Sequence, residues 1–173
     1  RYGDWVYMMA RSGGIRYIMS IHVTGGGAKY YRIPDTQIGD VKVRWNPVWF
    51  QLSLTGDRFM SVVSGKTISG DKNAYCTGLV TLSTKGEGFK ILVTPKWDGE
   101  KFYHGDNDVG DLVAPIGMSR RSGELFFKAE VGNSGDHRVY TCKHDGSGLR
   151  LIKKTSGTYP NTIISSKACS LDY

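Results

Sequence analysis

The sequence predicts an all-β chain, and two observations carry that expectation. Short runs of alternating apolar and polar residues recur along its whole length, rich in β-branched and aromatic side chains and bounded by Gly, Asp, Asn and Ser. No window of helical length carries an apolar stripe with a 3.6-residue period. The 23 glycines against five prolines supply the tight turns such a chain needs.

The strands follow in order. "DWVYMMA" (4–10), "RYIMSIHV" (16–23) and "KYYRI" (29–33) come first, then "VWFQLSL" (48–54) and "DRFMSVVS" (57–64). "GLVTLST" (78–84) and "FKILVTP" (89–95) complete a middle group. "LVAPIGMS" (112–119), "LFFKAEV" (125–131), "HRVYTCKH" (137–144) and "LRLIKK" (149–154) make a third group, and "NTIISSKA" (161–168) stands last.

Two turn signals recur among them. "TGGGAKYY" (24–31), "KGEGFKIL" (85–92) and "DGSGLRLI" (145–152) each read X-Gly-X-Gly and then apolar, basic, and apolar or aromatic. The second glycine takes a positive φ without steric cost, as hairpin turns require. "GDWVYMM" (3–9), "GDRFMSV" (56–62) and "GELFFKA" (123–129) each read Gly, acid and then a hydrophobic strand. Together they define a unit of four strands, A to D, with short A–B and C–D turns.

The chain is therefore expected to form a single all-β domain over 1–173 with three blade-like four-stranded antiparallel repeats. Their bounds are roughly 1–33, 46–94 and 111–154. The first unit lacks strand A. Residues 159–169, which share an Asn/Pro start and alternation with 46–56, are expected to complete it by pairing near Trp5–Met9.

Four-stranded units of this length suggest propeller blades. "GDWVYM…YIMSIHVTGGGAKYY" and "GELFFKA…RVYTCKHDGSGLRLI" resemble the repeats of TolB-type and related six-bladed β-propellers. In those, an aromatic-rich Gly-Asp-Trp-Ile-Tyr strand precedes an Asp-Gly-Ser-Gly turn. The family's Trp-Ser-Pro-Asp-Gly element is absent here, with "RWNPVWFQLSLTGD" (44–57) a loose echo of it. The resemblance implies a partial or oligomeric β-propeller, with "WDGEKFYHGD" (97–106) as a degenerate fourth unit. A β-trefoil is the alternative, without the ricin-type Gln-x-Trp signature, and another sandwich or barrel also remains open.

Composition bounds the rest. At 173 residues the chain has room for one domain with a real core, and 39% apolar with 23% charged residues reads as globular rather than disordered. No apolar run approaches the ~20 residues a membrane helix needs. The first residue is Arg, which reads as a processed product or an excised piece. Cys76, Cys142 and Cys169 fit no zinc spacing. They are three thiols, or one disulfide and one thiol, the latter placing the chain in a secreted or periplasmic compartment. The net charge of +7 suits an anionic partner, although the cations are spread rather than clustered.

Function is expected on the edge with the long B–C and D–A connections, including 34–46, 64–74 and 95–111, since long loops on a rigid scaffold carry most binding sites. The ligand-binding candidates are Trp45, Lys72, Asn73, Trp97, Tyr103, His104, Asp106 and Asp108. Aromatics beside Asn, Asp and Lys suit a glycan or a protein ligand. Both tryptophans have a core-capping alternative. Asp106, Asp108 and Asp111 form an oxygen-rich loop without the EF-hand order, so an Asx-rich turn is preferred to calcium.

No Gly-X-Ser-X-Gly, His-Glu-X-X-His, Walker or dinucleotide signature occurs, no cofactor or metal is implied, and Asp136-His137 has no nucleophile beside it. "KYYR" (29–32) and "VKVRW" (41–45) mix cations with aromatics, but alternation separates Lys42 and Arg44 from Trp45, which does not favour nucleic acid. The expected function is a non-enzymatic binding module. A hydrolase or lyase domain and a structural subunit of a larger assembly, by self-association or with further blades, are the alternatives.

Overall fold

In the computed structural model, residues 3–53, 55–69, 73–103, 111–119, 122–131, 136–143 and 146–155 are described. Among the described residues the fold is all-β, with 66% strand, no helix, and one sheet curled into a half-barrel. Every paired strand runs antiparallel to its neighbour.

The first sheet is a meander of β1 (Trp5–Ser12), β2 (Ile15–His22) and β3 (Ala28–Tyr31). The central sheet has five strands: β4 (Thr36–Ile38), β5 (Val41–Leu52), β6 (Arg58–Thr67), β7 (Tyr75–Ser83) and β8 (Lys90–Val93). A short hairpin of β9 (Lys96–Trp97) and β10 (Phe102–Tyr103) follows. The third sheet is a meander of β11 (Asp111–Met118), β12 (Glu124–Val131), β13 (Asp136–Lys143) and β14 (Arg150–Thr155).

Two expectations are corrected. Residues 34–46, read as a connection, contain a hairpin: Thr36 pairs with Val43 and Ile38 with Val41. The alternation of Val41, Val43 and Trp45 inward with Lys42 and Arg44 outward extends β5 well before Val48. Pro47 interrupts that run without ending it, because it sits at a β-bulge between Pro47 and Trp49, where a missing N–H is tolerated. Residues 95–111, likewise read as a connection, hold β9 and β10. The expected strand at 161–168 and its pairing with 4–10 lie outside the described residues.

The central sheet lies between the other two and separates two cores. Period-two alternation along β6 sends Phe59 and Val63 to one side and Met60 and Val62 to the other. On the first side they meet Ile18 and Tyr31 of the first sheet, with Val43, Trp45, Val80 and Leu82. Phe59 is the centre of this core, with the rings of Tyr31, Tyr7 and Phe50 edge-on at 4.8, 5.4 and 5.9 Å. On the second side Met60, Val62 and Leu79 meet Leu125, Phe127, Ala129, Tyr140 and Cys142 of the third sheet. The Phe127 and Tyr140 rings stack there at 5.5 Å. Each large apolar side chain so buried contributes about 2–3 kcal/mol of transfer free energy.

The short turns share a hydrogen-bonding pattern. After β7, Gly86 N–H donates to Ser83 O and Ser83 N–H to Glu87 O. After β13, Gly146 N–H donates to Lys143 O and Lys143 N–H to Ser147 O. After β2 the loop is one residue longer: Gly25 N–H donates to His22 O, and His22 N–H to Gly27 O. Both glycines of each X-Gly-X-Gly signal have positive φ, from 67° to 113°, so any other residue there would be strained. The turns before β6 and β12 also match: Ser53 N–H donates to Arg58 O and Ser119 N–H to Glu124 O.

The two short turns of the central sheet lie side by side. Thr84 N–H donates to Asp57 O at 2.8 Å, and the Arg58 guanidinium to Gly88 O at 2.7 Å. In the third sheet the Arg150 guanidinium donates to Glu124 at 2.7 Å across the same end. In the first, Val23 N–H donates to Asp4 O. The Tyr31 hydroxyl, 3.3 Å from that of Ser20, donates to Thr84 O and ties the first sheet to the central one.

Candidate functional site

The end of the central sheet opposite these turns is built by β5, β6 and β7, with Ile68, Ser69, Asn73 and Ala74 beside them. Cross-strand pairing aligns Arg44 with Lys66 and Lys66 with Tyr75 in one row. These positions fall on the face that buries Met60 and Val62 further along, but here Lys66 and Tyr75 are exposed, with Tyr75 65% accessible, while Arg44 is half-buried. The Lys66 ammonium lies 5.6 Å from the centre of the Tyr75 ring, within cation–π range. Lys42, two residues before Arg44, is exposed on the same face. Asp35, its side chain only 15% accessible, lies 3.7 Å from the guanidinium of the half-buried Arg44 and partly offsets its charge.

The edge is fixed by backbone bonds. Thr67 N–H donates to Ala74 O, Ala74 N–H to the Thr67 hydroxyl, Ile68 N–H to Lys42 O, and Lys42 N–H to the Ser69 hydroxyl. These bonds hold β5, β6 and β7 together up to the row, so the charged side chains project from a rigid base.

The sequence-predicted residues fall in different places. Trp45, expected on this edge, is a core residue: it is buried, and its Nε1–H donates to the Thr36 hydroxyl at 2.7 Å. Gly65 and Gly78 leave the space its ring fills, since a Cβ at Gly65 would stand 2.6 Å from Trp45 Cζ3. Trp97 is partly buried in β9, its ring 4.7 Å from that of Phe102 and close against Gly39. Tyr103 is exposed at the end of β10, and Asn73 is exposed two residues before Tyr75. Lys72, His104, Asp106 and Asp108 lie outside the described residues.

The structure thus adds Arg44, Lys66 and Tyr75 to Asn73. Alternation in "VKVRW" already placed Lys42 and Arg44 on one face. Counting the β6–β7 register back from its loop would have added Lys66 and Tyr75.

No family model, no curated protein and no solved structure matches the chain. The chemistry of the site is therefore read from its own residues. Among the described residues, no three of His, Cys, Asp or Glu gather where they could hold a metal ion, and no helix is long and apolar enough to cross a membrane. Cys76 and Cys142 are buried thiols, one in each core. The His22 ring is engaged by the Thr24 hydroxyl at 2.7 Å and the edge-on Trp5 ring at 4.9 Å.

Proposed function

We propose that the chain is a non-enzymatic binding module whose blade-like sheets present the Arg44–Lys66–Tyr75 row to an anionic ligand, either an acidic glycan or an acidic segment of a protein. The row supplies two cations and an aromatic face on a rigid edge, and the chain's charge of +7 adds long-range attraction to such a ligand. Exposed charges of this kind give a salt-sensitive contact.

A propeller-type arrangement supports the scaffold side of this reading. Three meanders lie face to face with two cores between them, and their turns share hydrogen-bond patterns. A β-trefoil gathers its three repeats around one shared core, so a central sheet covered on both faces favours blades.

Titration calorimetry at low salt tests the function against a sulfated oligosaccharide, an acidic peptide and a neutral oligosaccharide of equal length. One anionic probe is expected to bind and the neutral one not, and the binding probe identifies the ligand class. Lys66→Ser and Tyr75→Ser are each expected to weaken binding about fivefold, near 1 kcal/mol. Equal binding of the neutral probe, or indifference to both substitutions, would refute the reading.

A further inference from the structure

The face of the central sheet that meets the third sheet is covered over only part of its length. Burial falls off along β6 and β7 past the cross-strand row Trp49–Val62–Leu79. Val62 and Leu79 are buried in the second core, Ser64 and Thr77 are half-buried, and Lys66 and Tyr75 are exposed. The bulge after Pro47 leaves Val48 without a partner on β6 and sets Trp49 opposite Val62, on this same face. Trp49 stands at the open end of its row, 55% accessible.

Between that row and Arg44–Lys66–Tyr75 runs a row of short polar side chains, Asn46–Ser64–Thr77. Asn46 is held in place by the Arg16 N–H, which donates to its Oδ1 at 3.0 Å. The three rows make a shallow polar platform with an aromatic ring at each of two opposite corners, Trp49 on β5 and Tyr75 on β7. By ~3.3 Å per residue along β6 and ~4.8 Å per strand across the sheet, those corners lie roughly 16 Å apart.

We propose that this platform binds an acidic oligosaccharide, with one sugar ring on Trp49, another on Tyr75 and the anionic groups at Lys66 and Arg44. The proposal rests on the anionic-ligand reading of the Arg44–Lys66–Tyr75 row and decides between its two ligand classes. Sugar rings carry hydroxyls around their edges and C–H groups on their faces. These match a row of amide and hydroxyl side chains flanked by aromatic faces. The separation of the two aromatic corners exceeds one sugar ring, so a chain of sugars is needed to occupy both. A peptide bound on a sheet gains its affinity by adding a strand to an open edge, with pockets for alternate side chains. β6, the middle strand of the platform, is paired on both sides, and Asn46, Ser64 and Thr77 are too short to wall a pocket.

Titration calorimetry on the full chain at low salt tests the proposal with a sulfated disaccharide, a sulfated hexasaccharide of the same repeat, and an acidic peptide of equal net charge. The hexasaccharide is expected to bind about tenfold tighter than the disaccharide, because it reaches both corners, and the peptide is expected not to bind. Trp49→Ser, at a position open enough not to disturb folding, is expected to weaken hexasaccharide binding about fivefold. Ser64→Ala is expected to weaken it about threefold. Circular dichroism checks that each variant is folded. Hexasaccharide binding that Lys66→Ser weakens but Trp49→Ser does not would overturn the platform and leave the reading of the charged row standing. Equal affinity for the two sugars, or binding of the peptide in their place, has the same consequence. Binding of no anionic probe overturns the reading of the row itself, and the platform with it.

Discussion

The run Trp5–Ala10 in β1 and the run Phe59–Val63 in β6 are close in character, one unbroken in apolar residues and the other interrupted by Ser61 alone. Their surroundings differ. β6 is covered on both sides, by the first sheet over Phe59 and Val63 and by the third over Met60 and Val62. β1 is covered on one side, where Tyr7 packs against Phe59, while Met8 on the other side faces outward. A run apolar at successive positions marks a strand with two faces to bury. Among the described residues, both coverings of β6 come from the chain itself, and one of those of β1 does.

The largest expected effect lies at the covered strand. Phe59→Ala removes the ring that joins Tyr7, Tyr31 and Phe50, and is expected to cost about 4 kcal/mol in denaturant unfolding. A loss under about 1 kcal/mol would mean that the first core does not depend on that cluster. A matched pair isolates the comparison further. Met60→Ala on β6 is expected to cost about 3 kcal/mol, and Met8→Ala on β1 less than about 0.5 kcal/mol, measured at low protein concentration. Equal costs would show that the outer face of β1 is covered within the single chain.

The smallest effect concerns the turns. Asp57 is held below the ordinary carboxylate range by the hydroxyls of Ser53, at 2.6 Å, and Thr55, with its own backbone N–H and the Arg58 charge adding to them against a modest opposing effect of burial. A carboxylate whose folded pKa is lowered stabilises the fold fully above its unfolded pKa, near 4, and loses that contribution as pH falls through the folded value. The stability gap between the wild type and Asp57→Asn is thus expected to be widest at neutral pH and to shrink below about pH 4. A gap that stays constant between pH 7 and pH 3 would remove Asp57 from the acid response.

Much of the fold was legible because local rules decide it. Strands such as 125–131 announce themselves by alternation and composition, and the paired glycines at 86 and 88 or 146 and 148 by the positive φ their turns demand. Trp45 was misplaced for a local reason too: Asn46-Pro47 reads as a strand start, whereas the bulge lets β5 run through it. The row of Arg44, Lys66 and Tyr75 was less visible because it exists only across three strands whose register is set by the turns between them. The stacking of the sheets was not legible at all, since apolarity on two faces says that partners exist and not which sheets they are.

The double coverage of β6 also bears on how the chain avoids mispairing. In most sheets a one-residue slip drives apolar side chains into water and is rejected at once. A slipped β6 would exchange Phe59 and Val63 for Met60 and Val62, apolar for apolar, and solvent would raise little objection. Shape has to supply the check. A Cβ in place of the Gly65 hydrogen would stand within 2.7 Å of Trp45, Val43 and Cys76 together. The one position of β6 that can lie under the indole therefore acts as an index mark, and the slipped alignments, which bring Ser64 or Lys66 to that place, are rejected by collision rather than by hydration.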